Sequence, residues 1–257
     1  MRFYGASNVG LVRSENQDRF GIYDILPGVT LCVICDGMGG SVGGSMAAEL
    51  ALEAFADMMR EMIIPDSPDD AAEINDRTVR DAFRAAVYAA NSRVYNKALD
   101  SNGRLQGMGT TLNAMLITEK GFAWSVNVGD SRLYRITGEG AEKLTRDHSY
   151  VQQLVDFGTL TPDEARHFGM KNVITRAVGT DVAVEADIIS VDTLPCSGKK
   201  GVFMLCSDGL YNCVDDVGLV NIFLADGSPK SMAAKLISSA RAAGGPDNIT
   251  VIVAEPD

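Results

Sequence analysis

The sequence predicts an α+β fold in which antiparallel sheets carry helices on their outer faces. Strand-like runs come in groups and helical patterns come in pairs, without the alternation of a βαβ chain. In addition, the middle strands are parted only by tight turns, Glu119-Lys120-Gly121 and Gly129-Asp130, as in a meander of hairpins.

Taken in order, residues 20–25 and 30–35 are short apolar runs, with Pro27-Gly28 as the turn between them. After a glycine-rich stretch, Ala47, Ala51, Ala54, Phe55, Met58 and Met62 recur at helical spacing and give one apolar face. In SPDD, Ser67 reads as the N-cap of a second helix and Pro68 as its first helical position. The inner face of that helix is expected to carry Val79, Phe83, Ala86, Val87, Ala90 and Val94. Strands are expected over 111–118, 122–128 and 131–136. Residues 147–170 read as helix and loop, with a capping box opening at Thr161. Strands return over 184–191 and 201–206, helices follow near 215–225 and 230–242, and a last strand runs over 248–253.

A chain of 257 residues fits one large domain or at most two small ones, and no repeat, low-complexity stretch or linker divides it. One domain over 1–257 is therefore expected. The net charge of −11 is the wrong sign for a protein that must neutralise nucleic-acid phosphates. No apolar run approaches a membrane span, and the first residues lack the apolar core of a secretory signal. A cytoplasmic protein with reduced cysteines is expected. Cys32 and Cys35 form a lone CxxC, but three residues apart on a strand their side chains point to opposite faces. They read as packing residues, as do Cys196, Cys206 and Cys213. The methionines Met58, Met59 and Met62 likewise read as core filler.

Four aspartates sit at strand ends: Asp18 in RSENQDRF, Asp36 in VICDGMGG, Asp208 in FMLCSDGL and Asp247 in GGPDNITVIV. One turn aspartate is ordinary, but four at the rims of sheets are a device for presenting carboxylates from rigid backbone. Buried together they would repel one another and take up protons, a cost that cations remove. Hard oxygen ligands suit Mg2+ or Mn2+. His148 and His167 are too few for a histidine-based site. Arg13, five residues before Asp18, could grip a phosphate with two parallel hydrogen bonds. The glycines of GMGGSVGGS are not followed by GK[ST], so they are not a P-loop.

The set RSENQD, CDGMGG, GMGTT, VGDSRLYR, LTRDHS, VITRAVG, SDGL and GPDNITV resembles the metal-dependent serine/threonine protein phosphatases of type 2C, in their bacterial branch. The motifs stand in family order and span residues 5–254. The resemblance implies a central β-sandwich of two antiparallel sheets flanked by helical pairs. It implies two cations, Mn2+ or Mg2+, bridged by Asp36, with the Gly37 carbonyl completing one shell. Asp208 and Asp247 would ligate one cation and Asp18 would serve the other, directly or through water. Arg13 would hold the substrate phosphate, and Asp130 would join Asp208 in binding a third, weaker metal. Residues from about 151 to 176 match a flap that influences substrate choice. Asn248 is expected to support Asp247.

Two departures stand out. Gln17 precedes Asp18 where many relatives carry an acid. Met38 stands where many eukaryotic relatives have a histidine, so the identity of any general acid is open. The implied activity is hydrolysis of phosphoserine and phosphothreonine by a metal-activated water, on phosphorylated proteins that include those of an opposing serine/threonine kinase. A monomer without nucleic-acid or membrane partners is expected. The rival readings are a non-catalytic binding module of the same fold and a small-molecule phosphohydrolase. The first would be expected to have lost metal aspartates or the arginine, and all are present.

Overall fold

The computed structural model describes residues 1–64, 74–166, 168–170, 172–192, 201–225 and 228–256. One sheet holds β1 (Arg2–Asn8), β11 (Ile249–Glu255), β10 (Gly201–Cys206), β7 (Arg132–Thr137) and β8 (Ala141–Lys143), in that spatial order. The other holds β2 (Asp18–Leu26), β3 (Val29–Met38), β5 (Leu112–Thr118), β6 (Phe122–Val128) and β9 (Asp187–Asp192), with β4 (Gly109–Thr110) paired to the end of β3. These pairings are all antiparallel.

The sheets stack face to face, and their inner faces share one apolar layer. Cys32, Ile34, Met115 and Ile117 meet Leu133, Phe203, Leu205 and Ile252 there. Their outer faces are covered as well. The helices α1 (Gly40–Met62) and α2 (Asp76–Leu99) bury Phe55, Met59, Phe83 and Val87 with Leu31, Val33 and Cys35 of β3. On the far side α6 (Asp216–Ala225) and α7 (Pro229–Ala242) bury Leu219, Met232 and Leu236 with Met204, Cys206 and Val251. A strand covered on both faces has no solvent side, so β3 and β10 are continuous apolar runs rather than alternating ones. Cys32 and Cys35 do face opposite layers, and burial raises the Cys32 thiol to about 12.

The residues expected on the inner face of α2 are all buried. Met62 is not where the pattern put it: it is 40% exposed, because the buried face at the end of α1 runs through Met59 to Ile63 and leaves Met62 to one side. The stretch 147–170 resolves into α3 (Tyr150–Asp156) and α4 (Pro162–Arg166), and the Thr161–Glu164 capping box closes at 2.8 and 3.3 Å. Ser67 and Pro68 lie outside the described residues. Strands β1 and β8 and the one-turn helix α5 (Asp208–Tyr211) carry no sequence signal of their own. Among the described residues no helix is long and apolar enough to cross a membrane.

Phe83 is fully buried and stacks on Phe55 with ring centroids 6.1 Å apart. Phe83→Ala is expected to lower unfolding stability by about 3–5 kcal/mol, read as a lower urea midpoint with an unchanged denaturant slope.

Candidate functional site

The antiparallel ladders bring several strand ends together at one end of the sandwich. Asp18 opens β2 and Asp36 lies directly opposite it near the end of β3. Asp208 follows β10, Asp247 precedes β11, and Asp130 sits in the turn from β6 to β7. A cavity of about 490 Å3 opens here, lined by Asp36, Asp130, Asp208 and Asp247 together with Arg13, the Gly37 backbone and Met38. Asp18 is buried beside Asp36 rather than on the cavity wall.

Two close approaches shape this end. A Cβ on Gly37 would lie 2.1 Å from the Gly44 carbonyl oxygen, so only glycine lets the first turns of α1 settle against β3. A Cβ on Gly209 would lie 2.0 Å from the Asn248 carbonyl oxygen, so α5 can press against the start of β11 and bring Asp208 to Asp247.

Neutral groups place most of these aspartates. The Ser207 hydroxyl donates to Asp18 Oδ2 at 2.8 Å and accepts from the Thr250 amide at 3.0 Å. The Asp36 backbone amide donates to Thr111 Oγ1, and the Thr111 amide donates back to the Asp36 carbonyl, both at 2.9 Å. Tyr211 donates its hydroxyl to Asp130 Oδ2 at 3.3 Å. Asn248 is a hub. Its amide nitrogen Nδ2 donates to the Val9 and Glu15 carbonyls at 3.0 and 2.9 Å, and its Oδ1 accepts from the Gln17 amide at 2.8 Å. The loop carrying Arg13 is thereby tied to the start of β11. The Asn248 backbone amide also donates to Asp247 Oδ1 at 2.8 Å, the supporting contact expected from the sequence. The roles of Thr111, Ser207 and Tyr211 were not legible beforehand, although GMGTT and SDGL mark their neighbourhoods.

The positive charge present is small. Among the described residues lining the cavity, Arg13 is the cationic side chain; it is 55% exposed and donates to Asp247 Oδ2 at 2.8 Å. The acids respond accordingly. Burial, then Asp18 and Asp208, push Asp36 well above the usual carboxylate range. Burial, then Asp130 and Asp247, raise Asp208 to about 8. Asp130 rises to about 6, through burial and then Asp147. Asp18 rises through burial, and its Oδ1 is buried without a hydrogen-bond partner.

These features define the chemistry the site can host. Among the described residues, no group of three or more His, Cys, Asp or Glu side chains is gathered closely enough to hold a metal ion as it stands. The aspartates share a cavity rather than a finished coordination sphere. Their donor set nonetheless fits a hard divalent cation: oxygen only, acid-rich, and with one buried carboxylate oxygen awaiting a positive partner.

The segment expected to act as a flap leaves and rejoins the body at one place. Ser149 bridges Ile174, and the Thr175 amide donates to the His148 carbonyl at 2.8 Å. Asn172 and Ile174 reach the cavity wall from this base. His148 is a structural clamp: its Nδ1 accepts from the Gly129 amide at 3.1 Å, its Nε2 faces Asp187 at 3.2 Å, and burial lowers its pKa. His167 lies outside the described residues.

Comparison with known proteins gives a consistent result. A family model described as protein phosphatase 2C matches residues 12–238. The serine/threonine phosphatase stp of Listeria welshimeri is 32% identical over 251 residues, covering 96% of this chain and 92% of that protein. The crystal structure of the Mycobacterium tuberculosis serine/threonine phosphatase PstP/Ppp superposes with a TM-score of 0.81 at 32% identity, covering 100% of this chain and 98% of that one. A catalytic domain of PstP in complex with two manganese ions superposes with a TM-score of 0.77 at 32% identity, over 100% and 98% of the two chains.

Removing divalent cations should expose the carboxylate repulsion as a pH dependence. A folded-state pKa of about 8 for Asp208 lies above the unfolded value near 4, so its contribution to stability is complete below pH 4 and lost as pH rises through about 8. Asp36 and Asp18 shift the same way, whereas the lowered His148 acts in the opposite direction, its contribution being lost as pH falls. The melting temperature of chelator-stripped protein is therefore expected to fall from pH 7 to 8.5, and saturating Mn2+ to flatten that slope; thermal scans at fixed ionic strength check it.

Proposed function

The chain belongs to the protein phosphatase 2C family, and we propose that it hydrolyses phosphoserine and phosphothreonine in proteins with water activated by divalent cations. The observation that carries this reading is a set of mutually repelling carboxylates around one cavity, with a guanidinium at the same wall and the partnerless Asp18 Oδ1 buried behind it beside Asp36.

In this reading Asp36, Asp208, Asp247 and the Gly37 carbonyl would hold two cations, Mn2+ or Mg2+, with Asp36 common to both and Asp18 serving one of them directly or through water. Asp130 with Asp208 would hold a third, weaker cation. When bound, such cations supply a nucleophile from water at neutral pH and positive charge beside the phosphoryl oxygens.

The chain's own residues then bind and orient. Arg13 turns from Asp247 to grip two phosphoryl oxygens, and the loop tied down by Asn248 sets where that guanidinium starts. Met38 on the cavity wall has no titratable proton, so the leaving oxygen is not protonated from that position. None of the five cysteines has an arginine six residues later, so the cysteine-phosphatase loop and its covalent intermediate have no place here. The segment from about 151 to 176, whose Asn172 and Ile174 reach the cavity wall, would influence substrate choice, within one domain over 1–257. Substrates are phosphorylated proteins, including those of a serine/threonine kinase and the kinase itself, met in the cytoplasm by a monomer. The kinase part rests on chemistry: such an enzyme makes the bond that this site cleaves.

Phosphate release from a phosphothreonine peptide tests the reading. Turnover is expected with Mn2+ or Mg2+ and none with EDTA. Asp36→Asn and Asp208→Asn should lose turnover while keeping the wild-type circular dichroism, and Arg13→Ala should lower kcat/KM about 100-fold. Full activity in EDTA, or in either asparagine variant, would sink the metal assignment.

A further inference from the structure

Asp130 differs from the other cavity acids in how it is held. It follows Gly129, whose φ of +104° turns the chain between β6 and β7, and it is only 7% exposed. Among the described residues, the side chain that hydrogen-bonds its carboxylate is Tyr211, at 3.3 Å from Oδ2. That bond fixes the carboxylate by one of its oxygens and so sets the direction in which it faces the cavity.

Tyr211 is itself fixed in two ways. It closes α5, the single helical turn that begins at Asp208. One turn of helix therefore carries both the partner carboxylate and the hydroxyl that orients Asp130. From the other side, the guanidinium carbon of Arg132 lies 3.5 Å from the centre of the Tyr211 ring. Arg132 is locked in turn by Asp147, with Nη2 to Oδ2 at 2.7 Å and Nε to both oxygens at 3.2 Å, and Lys143 adds a contact to Asp147 at 3.2 Å. A half-buried arginine placed on an aromatic ring and paired twice to a carboxylate is a rigid backstop.

We infer that Tyr211 is a positioning residue for Asp130, and that the Arg132–Asp147 pair braced against its ring sets how tightly the weakest cation of this site is held. The inference rests on the proposed third cation. It explains why a phenol is bonded to one of the cavity acids, and why a charge pair is stacked behind its ring. Groups that orient a ligand carboxylate contribute to metal affinity without touching the metal.

The test is Mn2+ titration into the chelator-stripped full chain, followed by calorimetry and by the electron paramagnetic resonance of unbound Mn2+. Wild-type protein is expected to fill two tighter sites and one weaker, and Asp130→Asn to lose the weaker. Tyr211→Phe keeps the ring and removes only the hydroxyl. It should retain the weaker site with a Kd raised about tenfold, while the two tighter sites keep their affinity. The tighter sites also report that the variant is folded. A Tyr211→Phe titration matching wild type, while Asp130→Asn deletes the weaker site, would overturn the positioning role. Equal weakening of every site would overturn it too, since that marks a general disturbance of the cavity. An Asp130→Asn titration identical to wild type would remove the third-cation reading and this inference with it, leaving the two-cation reaction intact.

Discussion

The structure is organised around a repulsion. Asp18 and Asp36 face each other across an antiparallel ladder, and Asp208, Asp130 and Asp247 surround them. Like charges directly opposite on paired strands are destabilising, and burial multiplies the cost. A chain selected for stability alone would place apolar residues there. What makes the arrangement tolerable is the supporting hydroxyls, one arginine, and cations from outside. The surrounding fold then has one requirement, which is to keep the carboxylates close in spite of themselves.

A two-sheet sandwich meets that requirement well. Its strands are covered on both faces, so the long apolar runs of β3 and β10 cannot move without opening a layer. Their ends are rigid platforms. Short polar contacts then finish the placement: Thr111 for Asp36, Ser207 for Asp18, Asn248 for the loop that carries Arg13. Each is a neutral group, so none adds charge to a site that already has an excess of one sign.

Much of this was legible in the sequence, for identifiable reasons. Strand ends marked by Asp followed by Gly, as at Asp36 and Asp208, are local signals, and so is the apolar face of α2. The fold class followed from grouped strands and paired helices. What could not be read depends on partners far away in the chain. Strand β1 has a glycine and polar residues and is defined by its pairing with β11, more than 240 residues on. Arg132 read as an ordinary strand residue and Tyr211 fell between the expected strand and helix; only the folded chain stacks one on the other. Met62 shows the converse limit, since two neighbouring apolar stripes, Met58–Met62 and Met59–Ile63, share the helical period and only the folded chain selects the second for burial.

The alternation of faces along β3 also constrains how the chain can change in length. Leu31, Val33 and Cys35 face the helices while Cys32 and Ile34 face the second sheet. Inserting or deleting one residue between Leu31 and Asp36 would exchange those faces and turn Asp36 away from Asp18. The irregularity in this hairpin falls between Asp24 and Leu26, at the end remote from both aspartates. Tolerance to insertion therefore has a gradient along a single hairpin, permissive at Pro27-Gly28 and absent where the carboxylates stand. A library of single-residue insertions through residues 18–38 would trace the boundary between scaffold and site more sharply than substitutions can.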